Sequence, residues 1–335
     1  MIKINPVVIY KTTYIVAILL GLGVLFNFVF NVEWNKTFRL LEDLDLRFYI
    51  IATLMYYISF IIRGLRWKIL YNNLVENNCD DRCISMQGTG KFSVLVLVGW
   101  FINAITWFRL GDVYRAREAS KMCNTTFSAG LGTILAERFV DLISVITLLV
   151  LSTIWYIYFG DIGLARYVIV VAFIMVIIIA SIIIAMKISW ESWLIIFPEK
   201  IRKFYRRFST STIESLKRVK MLVFLGLLSW VYEIFRLYFV LEALNLDVVL
   251  PLVIISSLGH AILSTFPTPG GFGVVEPGLV GLLAVDLDLE MSVAASVLDR
   301  SITYLSVLLF GFVSFLIWNL VMKNSFKTNN YLSSE

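Results

Sequence analysis

The chain has 335 residues, 59% of them hydrophobic, and a mean hydropathy of +0.84. Apolar runs near bilayer length, such as the uncharged 168–186, exclude a soluble domain and specify an all-α polytopic membrane protein. The formal charge of +5 reads as basic cytoplasmic loops, not nucleic-acid binding, and three cysteines with a single histidine leave no metal-ligand set and no expected cofactor.

The first apolar run, 13–32, follows Lys3 and Lys11. It is long and lacks a small-x-small cleavage site, so an uncleaved first span is expected rather than a signal peptide. Further apolar segments occupy 48–70, 91–108, 126–158, 164–186, 221–243, 251–266, 274–285 and 290–322. Two of these, 126–158 and 290–322, exceed bilayer thickness and must tilt or protrude. The segments 91–108, 251–266 and 274–285 are short or interrupted, as re-entrant or broken helices are. At the end of 48–70, Ser59, Arg63 and Arg66 share a face before Trp67, the pattern of a snorkelling cytoplasmic belt. Cys79 and Cys83 read as two free thiols, with a short disulfide as the alternative on an oxidising side.

The basic linker 187–220 fixes one cytoplasmic point. Its part 198–220 either forms an amphipathic helix lying on anionic lipid or carries only the positive-inside signal. Counting spans from it places 109–121 on the same side. If 91–121 is a re-entrant hairpin, Lys3, Lys11, Arg63, Arg66 and Lys68 also fall inside. A matching hairpin at 251–285 brings the C-terminus inside. The expectation is one integral domain over 1–335 in the cell membrane. It has about six full spans, two re-entrant hairpins and both termini cytoplasmic.

A shift of 162 positions lays Gly111 on Gly273, Glu137 on Asp299, Arg138 on Arg300 and Ser144 on Ser306. The halves 91–158 and 251–322 therefore read as an inverted internal repeat, a common transporter plan.

Charge inside a bilayer costs at least ~2.5 kcal/mol per residue, so such groups face protein or water. Glu137, Arg138 and Asp141 fall on one side of a helix. Asp299 and Arg300 precede Thr303 and Tyr304. Glu233 and Arg236 are one turn apart, and Ser256, His260 and Ser264 form a polar stripe. Two readings stand for these clusters: ion pairs holding the bundle, or a cationic site for an anionic headgroup. His260 is either a packed, hydrogen-bonded residue or a proton relay. In 265–276, two prolines and three glycines preclude a continuous helix. The N–H groups at 270–273 are positioned to form an anion-binding nest before a half-helix starting near Val274.

The motifs Asn103-(x)5-Arg109-x-Gly111-Asp112-(x)2-Arg115, Glu137-Arg138-(x)2-Asp141, Pro267-x-Pro269-Gly270-Gly271-x-Gly273-(x)2-Glu276 and Arg300 resemble the lysylphosphatidylglycerol synthase transmembrane-region family. This is a flippase-like family with stand-alone members. Arg63-(x)2-Arg66-Trp67 is similar to its second span. The family usually has a proline where this chain has Trp107, which implies a different turn in the first hairpin. No soluble synthase domain follows residue 322, so synthase activity is not implied.

The resemblance and the residue reading together imply translocation of an anionic or glycosylated phospholipid, or of a polyprenyl-phosphate-linked sugar. Headgroup contact falls to Arg109, Gly111, Asp112, Arg115, Glu137, Arg138, Asp141, Pro269, Gly270, Gly271, Gly273, Glu276, Arg300 and Tyr304. Glu233 and His260 are candidates for proton coupling. A secondary transporter of a small soluble anion is the alternative. A membrane transferase would need Asp112, Glu118 or Glu276 as its carboxylate. The absence of a Walker motif argues against ATP hydrolysis. The expected partner is the membrane lipid, with a homo-oligomer and a separate lipid-modifying enzyme compatible with the same reading.

Overall fold

The computed structural model describes residues 33–75, 88–158, 163–187 and 198–332. The expected first span at 13–32 and the pair Cys79 and Cys83 lie outside them. Among the described residues every regular element is helical.

In chain order the helices are α1 (Trp34–Glu42), α2 (Leu46–Val75), α3 (Thr89–Ile105), α4 (Leu110–Met122), α5 (Phe127–Tyr158), α6 (Gly163–Lys187), α7 (Glu199–Ser215), α8 (Val219–Ala243), α9 (Leu250–Leu263), α10 (Val275–Leu283), α11 (Leu289–Arg300) and α12 (Val307–Leu332). A π-helical segment, Ser301–Ser306, joins α11 to α12 without a break. Four helices are long and apolar enough to span a bilayer: α2, α5, α8 and the continuous helix from Leu289. The sequence places spans at all four, and α6 occupies the expected 164–186.

The short segments fold as two helical hairpins. In the first, α3 and α4 meet at Thr106–Arg109, where Phe108 and Arg109 both adopt left-handed φ, 59° and 55°. Asn103 Oδ1 accepts the Gly111 N–H at 2.8 Å, which satisfies a donor in the first turn of α4. A Cβ on Gly111 would overlap the Gly99 carbonyl, so only glycine permits this close approach of α4 to α3.

The second hairpin breaks between α9 and α10. A single 3₁₀ turn, Pro269–Gly271, is followed by a left-handed Gly273, and Gly270 and Gly271 are left-handed too. The expected non-helical Pro-Gly-Gly break is thus observed.

Helices α2 and α8 pack along their lengths at the centre, and the two hairpins lie around them. α7, within the basic linker, packs against α5 and α2. Its C-terminal half is held there by Asn73, whose side-chain amide donates to the carbonyls of Ser215 at 2.9 Å and Lys217 at 2.6 Å.

The central pair also repeats. Ser59, Arg63 and Arg66 of α2 have Ser229, Glu233 and Arg236 in α8, each 170 positions on. Ser59 Oγ donates to the Tyr56 carbonyl at 2.7 Å, and Ser229 Oγ donates to that of Gly226 at 2.8 Å. Each half therefore contains a further helix before the hairpin, beyond the 91–158 and 251–322 read from the sequence.

The halves differ at the π-helical segment, which has no counterpart in α5. A π turn frees backbone groups that need other partners. Tyr56 Oη donates to the Thr303 carbonyl at 3.3 Å, while the hydroxyls of Tyr49 and Tyr57 bond the side-chain hydroxyls of Ser301 and Ser306 at 2.8 and 2.7 Å, tying the segment to α2.

Candidate functional site

The two hairpin tips meet. The Phe108 N–H donates to the Pro267 carbonyl at 3.4 Å, and Arg109 Nη1 donates to that of Ser264 at 3.3 Å. Tyr304, placed by the π-helical segment, reaches the Ala104 carbonyl at 3.3 Å and packs where a Gly270 side chain would be.

Beneath the joined tips lies a cavity of about 190 Å³. Its lining includes Arg63, Arg109, Arg138, Arg236 and Arg300 against two carboxylates, Asp141 and Glu233. Asp112, Glu276 and Asp299, just behind the lining, pair with four of these arginines and offset most of their charge, so the part-exposed Arg109 and Arg138 are the donors an anion could meet. Trp100, Asn103, Trp230, Ser257, His260, Gly270 and Tyr304 complete the part of the lining that carries chemistry.

The repeat organises the charges. In each half the acid of the acid-Arg pair receives an arginine from the central helix. Glu137 binds Arg66 of α2 at 3.2 Å, and Asp299 binds Arg236 of α8. In each half the arginine of the pair reaches an acid at its own hairpin. Arg138 binds Asp112 at 3.1 Å, and Arg300 binds Glu276 at 2.8 Å. The ion-pair reading of the clusters thus holds in both halves.

Arg66 and Arg115 are fully buried. Arg66 lies between Glu137 and Asp141, and Arg115 joins Asp112 to Glu137 while its guanidinium stacks on Trp67, 4.9 Å from the ring centre. These two arginines hold helices together. Arg138 and Arg109 keep 29% and 25% of their side chains exposed and line the cavity.

The snorkelling expected of Arg63 and Arg66 does not occur. Arg63 is 2% exposed, pairs with Glu233 at 3.3 Å, and lies between the Trp100 and Trp230 rings at 5.3 and 4.7 Å. Carboxylates on neighbouring helices, invisible from α2 alone, hold both guanidiniums inside.

The nest expected at 270–273 is filled by the chain itself. The N–H groups of Gly271, Phe272 and Val274 donate to the carbonyls of Thr268, Pro269 and Gly271, and that of Gly273 donates to Glu276 Oε2 at 2.7 Å. What the loop offers is the Gly270 carbonyl, which accepts from Arg300 Nη2 at 3.0 Å and orients it.

Of the other residues singled out in the sequence, Asp141, Gly270, Tyr304, Glu233 and His260 line the cavity. Gly111, Asp112, Arg115, Glu137, Pro269, Gly271, Gly273 and Glu276 build the hairpins or pair with arginines around it. His260 Nδ1 lies 3.1 Å from Asp299 Oδ2. The sequence reading did not single out Arg63, Trp100, Trp230 or Asn103 as lining residues, although the 170-residue correspondence of Arg63 with Glu233 was available to find the first.

A UPF0104 membrane protein of Methanocaldococcus jannaschii is 32% identical over 65% of this chain and 94% of its own length. A second UPF0104 membrane protein, from Pyrococcus horikoshii, is 25% identical over 92% of this chain and 96% of its own. The family model described as lysylphosphatidylglycerol synthase TM region matches residues 14–311, a span that takes in both hairpins, both acid-Arg pairs and the cavity between them. The chain is therefore a multi-pass membrane protein that belongs to the lysylphosphatidylglycerol synthase TM region family.

Proposed function

We propose that the chain moves lipids with anionic headgroups between the leaflets of the cell membrane. The observation that carries this reading is the arginine-rich cavity beneath the joined hairpin tips. Both termini and the basic linker would face the cytoplasm. The hairpins would be re-entrant from opposite faces, so that the tips meet at membrane depth.

Phospholipid and lipid-linked sugar both suit the site through the same group, the phosphodiester or diphosphate next to the lipid tail. Arg138, Arg300 and Arg109 offer fork-shaped donors to its oxygens. Acyl chains would remain outside the protein. The rim favours that arrangement. Next to cavity-lining Arg109 and Thr265 sit Phe108 and Phe266, 76% and 50% exposed, and Phe272 packs by Tyr304 with its far side open. An apolar rim beside a cationic interior fits an amphiphile better than a free ion.

The test is reconstitution of the full chain into liposomes with fluorescent phosphatidylglycerol or phosphatidylcholine, scored for leaflet exchange, alongside uptake of glycerol phosphate. Exchange of the anionic lipid above the zwitterionic one is expected. Glycerol phosphate uptake without lipid exchange would overturn the reading in favour of soluble-anion transport.

A further inference from the structure

We propose that His260 takes up a proton when an anionic group enters the cavity, so that headgroup and proton occupy the protein together. The inference rests on the anionic-headgroup reading above.

His260 lies on α9 with its ring in the cavity lining. Nδ1 sits 3.1 Å from Asp299 Oδ2 and 3.4 Å from Arg236 Nη2, between a carboxylate and a guanidinium donor, and in either neutral tautomer the ring keeps one lone pair that can accept a second proton. Asp299 does not hold a protonated ring unaided, because Arg236 of α8 is bound to the same carboxylate.

The other carboxylates facing α9 are matched as well. Glu233 of α8 carries Arg63 and Arg236. Asp141 of α5 carries Arg66 and Arg138. Glu276 of α10 carries Arg300, which follows Asp299 at the end of α11. An imidazolium at 260 would therefore be a surplus buried cation while the cavity holds no anion.

A phosphodiester beside Arg300 and Arg138 supplies the missing negative charge. The ring's remaining lone pair then accepts a proton from water in the cavity, forming an N–H bond, and the hydroxide left behind exchanges with solvent. Ligand and proton together add no net charge. A neutral pair crosses the low-dielectric midplane at lower cost than the anion alone.

Reciprocity fixes the sign. If the anion favours the protonated ring, protonation favours the anion, so affinity for the anion rises as pH falls through the titration of His260.

His260 is the chain's single histidine, so histidine labelling with ¹³C and ¹⁵N yields one imidazole signal. The full chain in micelles is titrated with and without saturating dihexanoyl phosphatidylglycerol, a phosphodiester with no proton to exchange near neutral pH. The imidazole midpoint is expected to move to higher pH by about one unit, a tenfold change, and the pH dependence of binding is expected to disappear in His260→Gln. Saturable binding with an unmoved midpoint overturns the proposal, as does unchanged pH dependence in the variant. Should His260→Gln fail to fold, the wild-type midpoint decides by itself. Leaflet exchange that persists without the shift leaves the lipid reading standing. A lipid that neither binds nor exchanges removes both.

Discussion

Arg138 reaches Asp112 at 3.1 Å, tying the long helix α5 to the first hairpin, and Arg300 repeats the contact to Glu276 at 2.8 Å in the second. Arg138 and Arg300 both line one cavity. Each pair occupies a guanidinium that an incoming phosphate would need. On the proposed function, the pairs would hold the hairpins while the cavity is empty and yield to the headgroup's phosphate when it enters.

The arginines divide by burial. Arg66→Ala leaves Glu137 and Asp141 short of a partner in the interior, and a loss of about 3–5 kcal/mol is expected, read as failure to give a monodisperse, cooperatively melting protein in detergent. Arg138→Ala is expected to cost only about 1 kcal/mol, because Asp112 retains Arg109 and Arg115 and Asp141 retains Arg66. Equal destabilisation by the two substitutions would erase the division.

If the headgroup binds Arg300 as proposed, Glu276 competes with it for the guanidinium. Glu276→Gln removes that competing charge and keeps an oxygen that can accept the Gly273 N–H. Affinity for dihexanoyl phosphatidylglycerol, measured by calorimetry, is expected to rise several-fold. Weaker binding would place Glu276 in a supporting role and count against competition.

The two glycine tips respond differently to a methyl group. Gly111→Ala forces a Cβ into the Gly99 carbonyl, so the first hairpin is expected to lose its packing and the protein its folded yield. At Gly273 a Cβ meets open space, and only the left-handed φ of 80° opposes it. Gly273→Ala is expected to cost about 1–2 kcal/mol and to give a folded protein with a lower melting temperature. A milder effect at Gly111 than at Gly273 would contradict the close approach of α4 to α3.

The tip contact between Phe108 and Pro267 is accessible to a cross-link. With the three native cysteines replaced by serine, Phe108→Cys and Pro267→Cys together are expected to form a disulfide on mild oxidation. Oxidation is expected to stop lipid exchange, and reductant to restore it. Full exchange by the cross-linked protein would show that the tips need not separate.

How much of this was readable from sequence follows from the range of each interaction. Helix positions, the Pro-Gly-Gly break and the acid-Arg pairs are local signals, and they reappear at the expected residues. Arg63 and Arg66 resisted the same treatment because their partners, Glu233 and Glu137, lie on helices far along the chain. The nest at 270–273 was legible as a glycine loop, but nothing local reveals that Glu276 turns back onto Gly273. The π-helical turn after Arg300 is likewise a tertiary outcome, stabilised by tyrosines of α2.

The central claim is that cavity arginines bind the headgroup. The direct measurement is leaflet exchange of fluorescent phosphatidylglycerol in liposomes holding folded wild type, Arg138→Ala or Arg300→Ala at equal protein density. Exchange by the wild type and its loss by at least tenfold in both variants is the expected result. Wild-type rates in both variants, with the proteins intact by thermal melting, would contradict it.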